Sequence, residues 1–276
     1  GLPGEGFLFD IFGIWNKILR YMKRIHKRMS LALLLTVVVL LTAGFTFPKW
    51  PVRRGQPAGD KGSCLILRLV KSFPFSEENC LKEWEEKVFK GKVVYKVESE
   101  PDKSFVRAKS DGTASALYYK VKMDSKRMHP AIRWKWRVEK FPDKKGKESL
   151  ETENEDDFAA RVFVIFPTSF MLNSRVLEYI WAENLPVGSV GTSPYSKNIK
   201  LIVLRSGPSG EAGWCPEDRD ILADYNMAFK KPPDRNIGAI AFMTNTEHTG
   251  SSAEAIYDDI EIGYKEDAGA TEGGSK

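Results

Sequence analysis

Between Val93 and Tyr264 apolar residues recur at every second position, in short runs broken by turn-forming residues. A strand sends successive side chains to opposite faces, so this period commits the chain to sheets that bury at least one face. Ile132 to Val138 is the clearest run. Ile132, Trp134, Trp136 and Val138 share one face and Arg133, Lys135 and Arg137 the other, which assigns the tryptophans to the core and the cations to an outer surface. Val93–Ser99 pairs with Phe105–Ser110 across Glu100-Pro101-Asp102-Lys103, and Ser115–Lys122 follows the turn Asp111-Gly112. Phe158–Phe166 is apolar on both faces except at Arg161, the pattern of a central strand. Val176–Trp181, Lys200–Arg205, Asn236–Thr244 and Ala255–Tyr264 complete the set, and Asp218–Phe229 fits either a strand or a short helix. The absence of a long helical pattern between strands argues against a parallel α/β fold. The prediction is an all-β domain, an antiparallel β-sandwich of jelly-roll type, over residues 73–264.

The segment before that domain is of another kind. Leu31–Phe47 is an uncharged run of about 17 residues, near the lower limit for spanning a bilayer core of about 30 Å. Lys17, Arg20, Lys23, Arg24, Lys27 and Arg28 precede it, against only Glu5 and Asp10. A basic start followed by an apolar stretch is the pattern of an export signal or a retained transmembrane anchor. Phe7, Leu8, Ile11, Phe12, Trp15, Ile18 and Leu19 recur at helical spacing, which suits an amphipathic helix at a membrane surface; translation starting at Met22 is the alternative. The reading is therefore a leader over 1–30, the signal or anchor over 31–47, a Pro- and Gly-rich linker over 48–72, the sandwich, and a loose tail over 265–276. The domain is expected in the periplasm or outside the cell, with its N-terminal helix as membrane contact. The net charge of +5 resides almost wholly in the leader, which argues against a nucleic-acid partner. Cys64, Cys80 and Cys215 lack metal-ligand spacing and fit three free thiols, or one disulfide with a spare.

From Trp84 onward the order of motifs resembles a bacterial family of unknown function, DUF3047. The matching stretches are Ser110–Tyr119, IRWKWRV, Glu155–Phe166, LEYIWAENLPVGS, Ile202–Gly207, Trp214–Phe229, IGAIAFMTNTEHTG and AIYDDIEI. The resemblance implies a sandwich like those of carbohydrate-binding modules behind an export signal, and no established activity. This chain departs from it at Thr244-Asn245-Thr246-Glu247-His248-Thr249-Gly250, where the family pattern implies an acidic T-D-x-D-N-T-G.

Candidate site residues follow from charges that the pattern places in apolar surroundings. Asp157 and Arg161 lie four apart, so an extended chain puts them on one side as a buried pair or a ligand clamp. Arg161 cannot shed its proton and needs acceptors; Asp157, Asp224 and Asp259 are the expected partners, with Arg205 as a further groove residue. A buried ion pair that fixes the fold explains the same pattern. Asn245, Glu247, Asp258 and Asp259 offer oxygens for a calcium ion near two strand ends, with His248 beside them but not a calcium ligand by type, although a polar turn accounts for Asn245–Gly250 equally well; no other cofactor is implied. No nucleophile elbow, metalloprotease helix or phosphate loop is present. The leading expectation is a non-catalytic cell-envelope module that binds a glycan or another envelope component. The alternatives are a glycan hydrolase using paired acids such as Asp157 with Glu247 or Asp259, and a scaffold subunit.

Overall fold

The computed structural model describes residues 65–267, apart from 77–78, 102, 127–128, 169–173 and 211–212. The leader, the apolar run, residues 48–64 of the linker and the last residues of the tail lie outside the described residues. Two sheets face each other. One has six strands in the order β11 (Cys215–Asp220), β6 (His129–Lys140), β13 (Ser252–Asp267), β4 (Lys103–Asp111) and β3 (Val94–Glu100), with β1 (Leu65–Phe73) also pairing with β13. The other has seven: β2 (Glu85–Lys90), β5 (Ala114–Met123), β12 (Ile237–Asn245), β7 (Ala160–Phe166), β8 (Arg175–Ala182), β10 (Ile199–Ser206) and β9 (Val190–Thr192).

The all-β sandwich stands as predicted, with three differences. The pair β8–β10 is parallel, because β9 runs back between them along the chain and takes the far edge. Asp218–Phe229 is a strand end and a helix together: β11 stops at Asp220, whose side chain accepts from the Ala223 N–H at 2.9 Å and caps α1 (Ile221–Phe229). The segment assigned to the linker ends in β1, so the folded unit starts at or before Leu65. That strand escaped the alternation because Leu69 and Val70 are both exposed around a register shift. Among the described residues, no helix is long and apolar enough to cross a membrane.

The core lies between the sheets. Trp134 and Trp136 from the six-stranded sheet meet Tyr179 and Trp181 of β8, at ring-centroid separations of 5.3 and 5.7 Å. Both tryptophans are buried, as their shared face with Ile132 and Val138 implies. Arg133 and Lys135 turn outward to Asp218 and Asp259. Cys80 and Cys215 are free thiols packed against the core; Cys64 lies outside the described residues.

β1 is held at close range. A Cβ placed on Gly263, which faces Leu69 in β13, would stand 2.2 Å from the Arg68 carbonyl oxygen and 3.0 Å from Leu69 Cα. Both obstacles are backbone and cannot swing aside. Gly263→Ala is therefore expected to destabilise the domain by about 1–3 kcal/mol. Amide hydrogen exchange should accelerate in β1 while β12 stays protected; an unchanged β1 would contradict this packing.

Candidate functional site

The seven-stranded sheet has an outer face as well as a core face. In β7, Ala160, Val162, Val164 and Phe166 turn to the core, and Arg161, Phe163 and Ile165 turn away from it. Register extends this outer face across the sheet, through Met243 opposite Arg161, Ala241 and Glu178 flanking Phe163, and Tyr118 beside Ala241. Three connections converge at its Arg161 end: residues 141–159 before β7, the β12–β13 turn, and the β9–β10 loop that carries Tyr195.

The first of these is a strap. Lys144 and Glu148 form a buried ion pair at 2.8 Å, with the Lys144 ammonium 3.9 Å from the centre of the Phe158 ring. Burial lowers the Lys144 pKa, and Glu148 opposes that shift. The Glu148 carboxylate also accepts the N–H groups of Glu183, Asn184 and Leu185 at the end of β8. Leu150 fills the space above Gly191, where any Cβ would clash.

Arg161 is buried, at 5% exposure, and sits between the rings of Phe158 and Phe163 at 5.3 and 5.8 Å. Its Nη2 donates to Asp156 Oδ1 at 3.1 Å, and its Nη1 to the Asp156 carbonyl and to Asn245 Oδ1, each at 2.9 Å. Nε and Nη2 close on the Glu178 carboxylate. One guanidinium thus faces two carboxyls. Burial, only partly offset by Arg161, pushes Glu178 up to about 7, and burial raises Asp156 as well. The two carboxyls hold Arg161 charged in spite of its own burial.

Asn245 carries the network outward. Its Nδ2 group lies 2.8–2.9 Å from the Asp156 carbonyl, Asp157 Oδ1 and Glu247 Oε2. Asp157 is fully buried and accepts the His248 N–H at 3.1 Å and the Thr249 N–H at 2.7 Å, with His248 Nδ1 at 3.2 Å. Burial alone would raise this carboxyl, but the hydrogen bonds from His248 and Thr249 hold it down at about 2. The imidazole is raised: burial works against its charge, and Asp157 and Glu247 more than restore it. Its Nε2 meets the Tyr195 hydroxyl, and the two rings stack at 5.9 Å. Burial and the nearby Asp156 and Glu247 push the phenol upward and keep it protonated. Glu247, raised to about 7 by burial and then by Asp157, completes the rim. An imidazolium donates from both nitrogens, so His248 reaches Asp157 with one and the Tyr195 oxygen with the other.

The residues predicted from sequence separate into several places. Arg161 is buried and carboxylate-paired, but its partners are Asp156 and Glu178. Asp157 is in the cluster without touching Arg161, because β7 begins at Ala160 and the two-residue alternation does not extend back to 157. Arg205 pairs with Glu217 at 2.6 Å on β11, and Asp224 in α1 accepts from Arg219 and from Tyr179. Asp259 salt-bridges Lys135 at 2.6 Å on the outside of the six-stranded sheet. Asp258, raised to about 6 by burial, is beside it and not beside Glu247. The calcium set therefore divides. Asp157, Glu247 and His248 do bring ligand atoms within 4.8 Å of one another, but the Asp157 oxygens and both His248 nitrogens already have hydrogen-bond partners. Glu178 was missed, though its signal is the one that marks Arg161: a single charge in the apolar run Val176–Ala182. Tyr195 had no signal beyond its type.

A family model described as "Protein of unknown function (DUF3047)" matches residues 82–261. No curated protein matches. Among solved structures the chain is similar to a family 11 carbohydrate-binding module of a cellulosomal cellulase from Clostridium thermocellum (11% identity, 74% of this chain and 96% of that one, TM-score 0.35). It is also similar to the cellulose-induced protein Cip1 (9%, 70% and 96%, 0.40) and to endoglucanase cel12A from Rhodothermus marinus (11%, 67% and 96%, 0.39). Likeness at this level does not bear on function.

Two outcomes follow from the cluster. Arg161→Met strands Asp156 and Glu178 without a cation and is expected to cost about 3–5 kcal/mol; adding Glu178→Gln should recover part of it. Thermal unfolding measures both, and an unchanged Tm for Arg161→Met would refute the buried network. The second concerns pH. Glu178 and Glu247 titrate near 7 when folded and near 4.5 when unfolded. Between those values the folded chain holds protons that the unfolded chain has released, so stability falls as pH rises. His248, also raised, loses its contribution in the same direction, whereas Asp157 loses its own only on acidification toward pH 2. Tm should be several degrees higher at pH 5 than at pH 8, with a smaller difference in Glu247→Gln; a flat profile over that interval would overturn the assignment.

Proposed function

The chain belongs to DUF3047, a family of proteins of unknown function, and we propose that this member is a glycan-binding module of the cell envelope whose ligand seats on the Tyr195–His248–Glu247 rim. The observation that carries the reading is the hydrogen-bonded series Asp157–His248–Tyr195. Its inner end is fully buried and fixed by backbone N–H groups, and its outer end is the Tyr195 phenol, held against the His248 imidazole. Glu247, held by Asn245 and partly exposed at its side chain (18%), supplies a carboxyl beside it. Sugar hydroxyls both donate and accept, so a fixed polar rim with a carboxyl that can do either suits them, with little ordering entropy to lose on binding. Phe163, half-buried on the outer face and linked to the cluster through Arg161, offers an apolar ring for the C–H face of a pyranose.

The hydrolase reading draws on the split between Asp157, held at about 2, and Glu247, at about 7. It needs a second carboxylate open to the substrate. Asp157 has no exposed surface, so it orients His248 and does not reach a ligand, which favours binding over cleavage.

The test is titration calorimetry of the purified protein against a panel of envelope polysaccharides and their oligosaccharides. One class should bind, and Tyr195→Phe and Glu247→Gln should each weaken it about tenfold or more, equivalent to about 1.4 kcal/mol, with unfolding otherwise intact. Binding by no member of the panel, or equal affinity in both variants, would count decisively against the site.

A further inference from the structure

We propose a second contact, independent of the glycan site: strand β1 seats the domain against the phospholipid bilayer that the Leu31–Phe47 segment enters. Seven large hydrophobic side chains are exposed among the described residues, and three of them, Ile66, Leu69 and Val70, at 41%, 47% and 41%, lie within five residues of β1. Among the described residues they lie on a strand with one strand partner, β13. An edge that is apolar as well as unpaired is a liability that folded proteins cover or charge. Arg68 and Lys71 interleave with the apolar side chains, and each is tied to an acid, Glu266 and Glu83, at 2.6 and 2.5 Å. Long aliphatic stems with charged ends beside leucine, isoleucine and valine suit the boundary between lipid headgroups and acyl chains.

The position of β1 in the chain selects the occupant. Leu65, its first residue, is joined to the uncharged run Leu31–Phe47 by residues 48–64 alone. A link of that length spans at most about 60 Å. If the apolar run lies in a bilayer, β1 is the part of the domain held nearest to it. The tether raises the local concentration of membrane surface at β1, so three partly inserted side chains suffice for contact where a free domain would dissociate. The glycan rim is formed by other strands and loops, with no residue from β1.

Photocrosslinking of the full chain in phosphatidylethanolamine–phosphatidylglycerol vesicles tests this. Benzoylphenylalanine is placed singly by Leu69→benzoylphenylalanine and Ile66→benzoylphenylalanine, and as a control by Val94→benzoylphenylalanine, since Val94 in β3 is equally apolar and 62% exposed. Mass spectrometry should find lipid adducts at 66 and 69, at least tenfold above those at 94. Three results overturn the proposal: no adducts at 66 and 69, equal adducts at all three positions, or adducts at 66 and 69 to a second copy of the chain. A chain that fails to float with the vesicles also overturns it, since the tether is then absent. None of these results alters glycan affinity, so failure here is distinguishable from failure of the binding site.

Discussion

A permanently charged guanidinium in the middle of a sheet sets the terms for everything around it. Arg161 cannot neutralise itself, and its neighbours along the outer face of β7 are Phe163 and Ile165. Each of its donors must therefore meet an acceptor brought from elsewhere in the chain. Asp156 comes from the strap before β7, Glu178 from β8, and Asn245 from the end of β12. Three separate segments, the strap, β8 and β12, are in this way tied to one side chain. Asn245 passes the constraint on to Asp157, and Asp157 fixes the backbone of the β12–β13 turn by accepting the N–H groups of His248 and Thr249. The geometry of the candidate site is thus a consequence of satisfying one buried charge.

The two faces of the seven-stranded sheet divide the work. Its inner face packs tyrosine, tryptophan and branched aliphatic side chains against Trp134 and Trp136, and tolerates little change in volume. Its outer face mixes alanines and a few aromatic rings with the Arg161 network. An ordinary outer face would be wetted and charged; this one is covered by a strap that brings its own buried ion pair, Lys144–Glu148. Two buried polar networks on one sheet face make specific geometry more than net stability, because an apolar replacement of equal volume is often as stable as a buried ion pair.

Alternation made most of the fold legible, and it failed where the backbone leaves a regular strand. Ile132–Val138 and Phe158–Phe166 could be read because a period of two survives along their whole length. β1 could not, since its register shifts at Val70 and both faces of its end stay exposed. Arg161 was recognisable as a buried charge from its own strand alone. Its partners were not, since pairing depends on which strands become neighbours, and β8 and β12 lie beside β7 for reasons spread over the entire chain. The same limit scattered Arg205, Asp224 and Asp259: each meets a charge on another segment, Glu217, Arg219 and Lys135, and sequence does not say which segments become neighbours. Glu178 carried the same mark as Arg161, an isolated charge in an apolar strand. Two such strands of opposite sign are a pairing signal that needs no structure to notice.

The charge balance of the cluster bears on what it can accept. Arg161 and His248 supply two positive charges against four carboxyl groups: Asp156, Asp157, Glu178 and Glu247. Were all four ionised, the cluster would hold two uncompensated negative charges largely out of water, at a cost that burial makes prohibitive. The structure resolves this by letting Glu178 and Glu247 titrate near 7, so that around neutrality the protons they keep bring the ensemble close to electrical balance. Glu247 is the partly exposed member of that pair and stands at the rim. A ligand carrying carboxylate, sulfate or phosphate groups would approach a carboxyl that is already on the edge of ionising, while the guanidinium of Arg161 is enclosed by its own acids. A neutral sugar meets no such opposition: it can accept from the protonated Glu247, or donate to Glu247 once that proton has left. For the glycan-binding role proposed above, the electrostatics of a site built to bury one arginine therefore favour uncharged chains.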